Sequence, residues 1–375
     1  MAMRLVTTNR RMSDEALQKL RDVIDEIDDQ LLELFNRRAS CAVSVAEVKR
    51  QDSDTPPDAI NFFRPDREAQ VIQRIKSKNA GPLSDDEVGR LVREVMSACL
   101  ALEQPLKIAY LGPEGTFTQS AALKHFGHSV TTIPMSSIPD VFSSVESGHA
   151  NYGLVPVENS TEGVISHTLD MFIDSDLKVS GEVEIRIHHH LVNQSQDVSK
   201  IKHIYSHQQS FAQCRHWLDQ NFPSIERVPL SSNAEAARIA SQDQNAAAIC
   251  GLPAVEIFDL QICFENIEDL SDNTTRFVII GNQDVDPSGD DKTSLLISTK
   301  NYPGALLALL QPLADNKISM NKIESRPAPD RKWEYIFFID IDGHQQSDNV
   351  RKALEELKGQ AALFKVLGSY PKSSL

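Results

Sequence analysis

The sequence predicts a multidomain protein that changes fold class twice along its 375 residues: an all-α segment, an α/β segment, then a small α+β unit. Three observations predict this. Apolar residues recur every three or four positions through the first hundred residues. Strand, polar loop and helix then alternate from 105 to 283. After a polar stretch bearing Pro and Gly at 284–292, the order β-α-β-β-α-β fills 293–371, a ferredoxin-like unit.

The helical segment is placed at 13–104. Leu20, Ile24, Ile27, Leu31 and Leu34 step by four and three, the seam of a long helix packed on other helices. The same spacing continues through Arg38, Ala42, Val45 and Lys49, which puts two cations on an apolar stripe. Either they snorkel to water at the helix end, or they line an anion pocket inside a bundle. A polar loop at 52–58 leads to a second helix with Pro65 near its first turn, and a third opens at Ser84 with Glu87 in capping-box spacing. Cys99 and Glu103 fall on one face of that third helix. Glu103 is then either a solvent-facing end or the acid that meets Arg38 and Lys49. The first twelve residues lack the apolar core of a signal and read as a loose tail.

In the α/β segment parallel strands are expected, with polar residues at strand C-termini and helix N-termini, where open α/β sheets bind ligands. No GxGxxG or GK[ST] fingerprint occurs, and no cofactor is expected. His188, His189 and His190 sit on a strand-like stretch, where neighbours face opposite sides; packing at a boundary is expected rather than a shared metal. The run "SDNTTRFVII" (271–280) carries Thr274, Thr275 and Arg276 into a short buried strand. Polar groups there cost desolvation energy unless something uses them.

Composition narrows the class. Hydrophobic content of 41% and charged content of 24% describe an ordinary soluble globular chain. No apolar run spans a bilayer. A formal net charge of −15 without a basic face argues against nucleic acid, so an anionic ligand needs local basic pockets. Five cysteines without CxxC spacing point to reduced thiols in a cytoplasm.

These three textures, with "NTTRF" in the middle segment and "GALL" and "ESRP" in the last, resemble the bifunctional chorismate mutase–prephenate dehydratase family. The resemblance covers nearly the whole chain. It implies an all-helical AroQ-type mutase interlocked as a dimer, a dehydratase of two lobes like a periplasmic binding protein (second lobe about 184–265), and a C-terminal ACT domain. It implies chorismate, prephenate and phenylalanine as small-molecule partners, no membrane partner, and a homodimer or dimer of dimers.

The resemblance also implies roles. In the mutase, Arg21, Arg38, Lys49, Arg67 and Glu68 would bind substrate, Arg21 reaching the partner subunit's site, with Glu103 and neighbouring Cys99 on the facing wall. A guanidinium pairs with a carboxylate bidentately, while Lys49 suits the ether oxygen as a point donor. In the dehydratase, Thr275 would serve the departing hydroxyl, Arg276 a carboxylate, and Phe277 would pack beneath. Glu114, Thr116 and Phe117 of "GPEGTF" would contribute, as would Glu158, Asn159, Ser160, Thr161 and Gly163 of "PVENSTEG" and Ser206, His207 and Gln208 of "SHQQ". Phenylalanine would bind the ACT domain through Gly304, Ala305, Leu306 and Leu307, and through Glu324, Ser325, Arg326 and Pro327.

Overall fold

The computed structural model describes residues 2–52, 62–299, 302–328 and 335–373, with the side chains of 2–13 and 52 left aside. From residue 53 onward the expected polar loop lies outside them. The chain divides into two compact units: residues 1–63 with 95–105, and residues 64–94 with 106–375.

The first unit is helical. α1 (Ala2–Asp52) begins before the expected start, so the predicted tail is helix; α2 (Pro65–Lys76) and α3 (Asp85–Glu103) follow in sequence and carry the chain into the second unit and back. Ser84 caps α3 by accepting from the Glu87 amide at 3.2 Å. Glu87 does not complete the box, because its carboxylate turns to Arg90 at 2.5 Å. The apolar seam of α1 stays open in the single chain: Leu20, Ile27 and Leu34 are 61%, 48% and 54% exposed. A helix with such a stripe gains its stability from a partner surface.

The second unit holds three sheets. One has the order β2 (Thr131–Met135), β1 (Lys107–Leu111), β3 (Tyr152–Asn159), β11 (Thr274–Gly281), β5 (Lys178–Arg186), with β4 (Gly163–Val164) beside β3. α4 (Phe117–Phe126), α5 (Ile138–Glu146) and α6 (Ser166–Asp174) connect its strands. Another runs β10 (Gln261–Phe264), β6 (His190–Asn193), β9 (Ala246–Cys250), β7 (His203–His207), β8 (Glu226–Leu230). It carries α7 (Gln208–Gln213), α8 (Arg215–Asn221), α9 (Asn233–Ala240) and α10 (Leu252–Ile257). The chain passes between these sheets after β5 and returns after β10. Parallel pairing holds only in part: β11 lies antiparallel to both β3 and β5, and β6 is antiparallel to β9 and β10. A strand that returns from the other lobe must enter in the opposite sense.

The last sheet is antiparallel, β13 (Met320–Pro327), β14 (Tyr335–Asp342), β12 (Asp291–Ser298), β15 (Leu363–Pro371), with α11 (Ala305–Asp315) and α12 (Asp348–Gln360) packed on one face. This is the expected β-α-β-β-α-β order. Its other face packs on the β3–β11–β5 sheet, where Leu296, Phe338, Leu367 and Tyr370 share one core with Phe172, Val179 and Val278. The approach is closest at Gly368, where an added Cβ would stand 2.0 Å from the Val179 carbonyl oxygen.

Candidate active sites

Between the two α/β sheets lies a cavity of about 270 Å³. Thr275 and Phe277 reach it from β11, Asn159 and Pro156 from β3. Two residues so close on β3 can share a face because the β3–β11 register slips by one residue between Arg276 and Phe277, a bulge that leaves Val157 extra. First-turn residues of α4 (Phe117, Thr118) and α9 (Asn233) line it too, as do His189, His207, Gln209 and Gln213.

A chain of side-chain hydrogen bonds fixes this wall. The Asn159 amide donates to Thr275 Oγ1 and to Asn273 Oδ1, both at 2.8 Å, while its own oxygen accepts from the Thr161 and Glu162 amides. Asn273 donates to Gln213 at 3.1 Å, and Gln213 Oε1 also meets His189 Nε2 at 2.8 Å. Gln213 and Gln209 both donate to Glu162, which joins the two lobes across the mouth of the cavity. Burial lowers the His189 pKa, so the ring stays neutral. Burial raises the pKa of Glu162, and the Gln213 hydrogen bond and nearby His207 offset part of that rise.

In the helical unit a second polar cluster forms. Lys49 Nζ donates to the Phe62 carbonyl at 3.4 Å and stands 5.3 Å from that ring's centre, with the Arg50 guanidinium at the same distance. Arg50 donates to the Glu103 carbonyl at 2.8 Å, and Arg38 to the Val95 carbonyl at 3.4 Å. Burial raises the Glu103 pKa, and the charges of Lys49, Arg38 and Arg50 hold part of that rise back. Arg38, Lys49 and Glu103 therefore do gather, with Cys99 buried on the same helix as Glu103.

Family models match in the same order along the chain: chorismate mutase type II over 20–104, prephenate dehydratase over 108–285 and an ACT domain over 293–359. A bifunctional chorismate mutase/prephenate dehydratase of Pseudomonas aeruginosa is 54% identical over 366 residues, which is 97% of this chain and all of that protein. The chain belongs to the bifunctional chorismate mutase/prephenate dehydratase family. The member from Escherichia coli is 30% identical, over 97% of this chain and 98% of that one. The crystal structure of an Arthrobacter aurescens prephenate dehydratase in complex with L-Phe is 33% identical, with a TM-score of 0.66 over 71% of this chain and 90% of that one.

Within the prephenate dehydratase match, the expected residues divide by strand alternation. Thr275, Phe277, Asn159, Thr116, Phe117 and His207 line the cavity. Arg276 does not. Its side chain leaves the opposite face of β11 and pairs with Asp340 at 2.8 Å and Glu182 at 3.2 Å. Glu158 is on that far face too, 2.6 Å from Lys322. Ser206 is buried one step behind the wall, its hydroxyl within hydrogen-bond distance of Asn233 Oδ1 at 2.9 Å and the Ile249 carbonyl at 3.0 Å. Glu114 and Gln208 are exposed and outside the lining; Gln209 takes the place expected of Gln208. Ser160 ties β3 to β11 by accepting from the Thr274 amide at 2.9 Å, Thr161 donates to Asn273, and Gly163 supplies a positive φ of 84° at the turn. The histidines mark the crossing between sheets: His188 and His189 lie between β5 and β6, and His190 opens β6. His188 pairs with Glu268 at 2.8 Å, His189 with Gln213, and His190 accepts from the Asn266 amide.

The residues expected of the chorismate mutase and ACT matches are placed as follows. Glu68 is engaged by Arg93 at 2.8 Å, while Arg67 and Arg21 are exposed. Arg326 is held by Asp170 at 2.9 Å and by Ser166, and Glu324 is half-buried on the same side of β13. Ser325 and Pro327 are exposed on its other side. Gly304 caps α11 at φ 85°, Ala305 is buried, and Leu306 and Leu307 are exposed, Leu307 by 71%. Sequence reasoning missed Gln213, Gln209, Asn273, Glu162 and Arg50. Asn273, Glu162 and Gln209 lay inside quoted motifs at positions given no role, and nothing in the spacing singled out Gln213.

Proposed function

We propose that this chain rearranges chorismate to prephenate in its helical unit and converts prephenate to phenylpyruvate in the cavity beside Thr275, under feedback control by phenylalanine. The observation that carries the second step is the Asn159–Thr275 hydrogen bond. Asn159 fills an acceptor site of the threonine hydroxyl, which leaves the hydroxyl proton free to be donated into the cavity. In the reaction the electron pair of the breaking C–CO2 bond enters the ring and expels the ring hydroxyl, which takes up a proton from solvent, relayed through the Thr275 hydroxyl, and leaves as water. A hydrogen bond to that leaving oxygen grows stronger as its charge develops. Among the described residues no arginine or lysine lines the cavity, so the substrate's remaining carboxylate falls to amides at the first turns of α4 and α9.

For the mutase, Arg38, Lys49 and Arg50 supply positive charge beside Glu103, which suits a dicarboxylate held in a reactive shape. A protonated Glu103 donates to the breaking ether oxygen. The open stripe of α1 supports a homodimer in which Arg21 acts in the partner's site. The apolar side chains of Leu306 and Leu307 support a second contact, between ACT domains, where phenylalanine binds.

The test is to give the purified chain chorismate, then prephenate, with and without phenylalanine. Phenylpyruvate from both substrates, suppressed by phenylalanine, is expected. Prephenate accumulating unchanged would remove Thr275 from its role.

A further inference from the structure

Three cations and three carboxylates meet where the C-terminal sheet packs on the catalytic one: Arg276, Lys292 and Lys322 with Glu158, Glu182 and Asp340. Arg276, Glu158 and Glu182 come from β11, β3 and β5; Lys292, Lys322 and Asp340 come from β12, β13 and β14. Lys292 Nζ lies 2.8 Å from both oxygens of Glu182. Asp340 accepts from Ser294 at 2.6 Å and from Arg276 at 2.8 Å.

One contact in this cluster is incomplete. Arg276 Nε is buried with no hydrogen-bond partner among the described residues, and it stands 3.8 Å from Glu158 Oε2. That same oxygen is held by Lys322 at 2.6 Å. A buried unpaired guanidinium N–H is costly, so Glu158 has two competing partners, one on each side of the seam. Chain neighbours of this pair form the catalytic wall: Asn159 follows Glu158, Thr275 precedes Arg276, and the two are joined at 2.8 Å.

We infer that Glu158 is a positioning residue that exchanges between Lys322 and Arg276, so that movement of the C-terminal sheet sets the Asn159–Thr275 geometry. With Lys322 engaged the wall is assembled, and this is the working arrangement. When the sheet withdraws Lys322, Glu158 closes on Arg276, β3 shifts against β11, and Thr275 loses its orientation. A discrete two-state contact of this kind is what coupling between distant sites requires. The inference rests on the regulatory reading above and names the residues that would carry it.

The test compares the unmodified chain with Lys322→Gln, Lys322→Arg and Glu158→Gln for dehydration of prephenate, mutase activity and thermal unfolding. Lys322→Gln is expected to lower dehydratase kcat about ten-fold with KM changed less than about two-fold, and to blunt phenylalanine inhibition about ten-fold. Lys322→Arg should restore most of both, and mutase activity should not move. Unchanged kcat and inhibition in Lys322→Gln would overturn the inference, as would equal losses in the Gln and Arg variants. If Lys322→Gln fails to fold, Glu158→Gln decides, since it removes the exchanging charge and must also blunt inhibition. Should the unmodified chain ignore phenylalanine, the regulatory reading falls, and the kcat response with its rescue by Arg decides the exchange alone.

Discussion

Asn159 and Thr275, 116 residues apart in sequence, share a 2.8 Å hydrogen bond whose direction is fixed by the backbone. The Asn159 oxygen accepts from two amides of its own turn, so its NH2 must face the threonine. Thr275→Ala is therefore expected to lower dehydratase kcat at least about a hundred-fold with mutase activity intact, the scale of a lost transition-state hydrogen bond. Asn159→Asp presents an acceptor where a donor stood and should cost nearly as much. Steady-state assay of both activities on each variant checks this; a fully active Thr275→Ala would remove the residue from the chemistry.

Glu103 is expected to set a pH dependence for the mutase. Its pKa is raised by burial, against the pull of Lys49, Arg38 and Arg50, so its neutral form persists to higher pH than that of an ordinary glutamate. Mutase activity should rise as pH falls through that raised value, where the carboxyl can donate and no longer repels the substrate dianion. Glu103→Gln donates at every pH and should flatten the profile. An identical profile in both proteins would exclude Glu103 from the site.

The stripe on α1 predicts dimer dependence. Leu31 is 41% exposed in the single chain, and Leu31→Glu would set a charge in a paired seam. Sedimentation should show the smaller species, with mutase activity down at least about ten-fold and dehydratase activity within about two-fold. A variant that remains the same size with full mutase activity would show that this stripe is not an interface.

Acid stability follows from His125, which is packed beneath Gly181 and against Phe126. Burial, then the nearby Arg93 charge, pushes its pKa down from 6.5 to about 3. The unfolded chain protonates near 6.5 while the native one resists, so stability is complete above about 6.5 and is lost as pH falls towards about 3. The cost is at most about 1.4 kcal/mol per pH unit from this one group. His125→Gln should lower stability at neutral pH and show a shallower acid slope in urea titrations. Parallel slopes would assign the acid loss elsewhere.

What was legible in the sequence was mostly periodicity. The α1 seam, the strand–loop–helix alternation and the last β-α-β-β-α-β order each follow from side-chain spacing, and the structure has all three. The same rule, applied within "TTRF", would have separated Thr275 and Phe277 from Arg276, because neighbours on a strand face opposite ways. A guanidinium looks like a carboxylate ligand wherever it stands, which masks that alternation. Gln213 and His189 were beyond reach for another reason: they join the wall only through the fold-back of a second lobe, and no local pattern encodes that contact. The shared core between the C-terminal sheet and the β3–β11–β5 sheet was equally hidden. A chain ending near residue 288 would leave Phe172, Val179 and Val278 uncovered.

The alternation of β11 has a genetic consequence. Its odd positions, 275 and 277, look into the cavity, whereas even ones, 276 and 278, look into the seam with the C-terminal sheet. Selection for growth on a toxic phenylalanine analogue should therefore enrich changes at the even positions of this strand. Selection for loss of phenylalanine synthesis should fall on the odd ones. One segment eight residues long would answer two different screens, and the parity of the hit would say which.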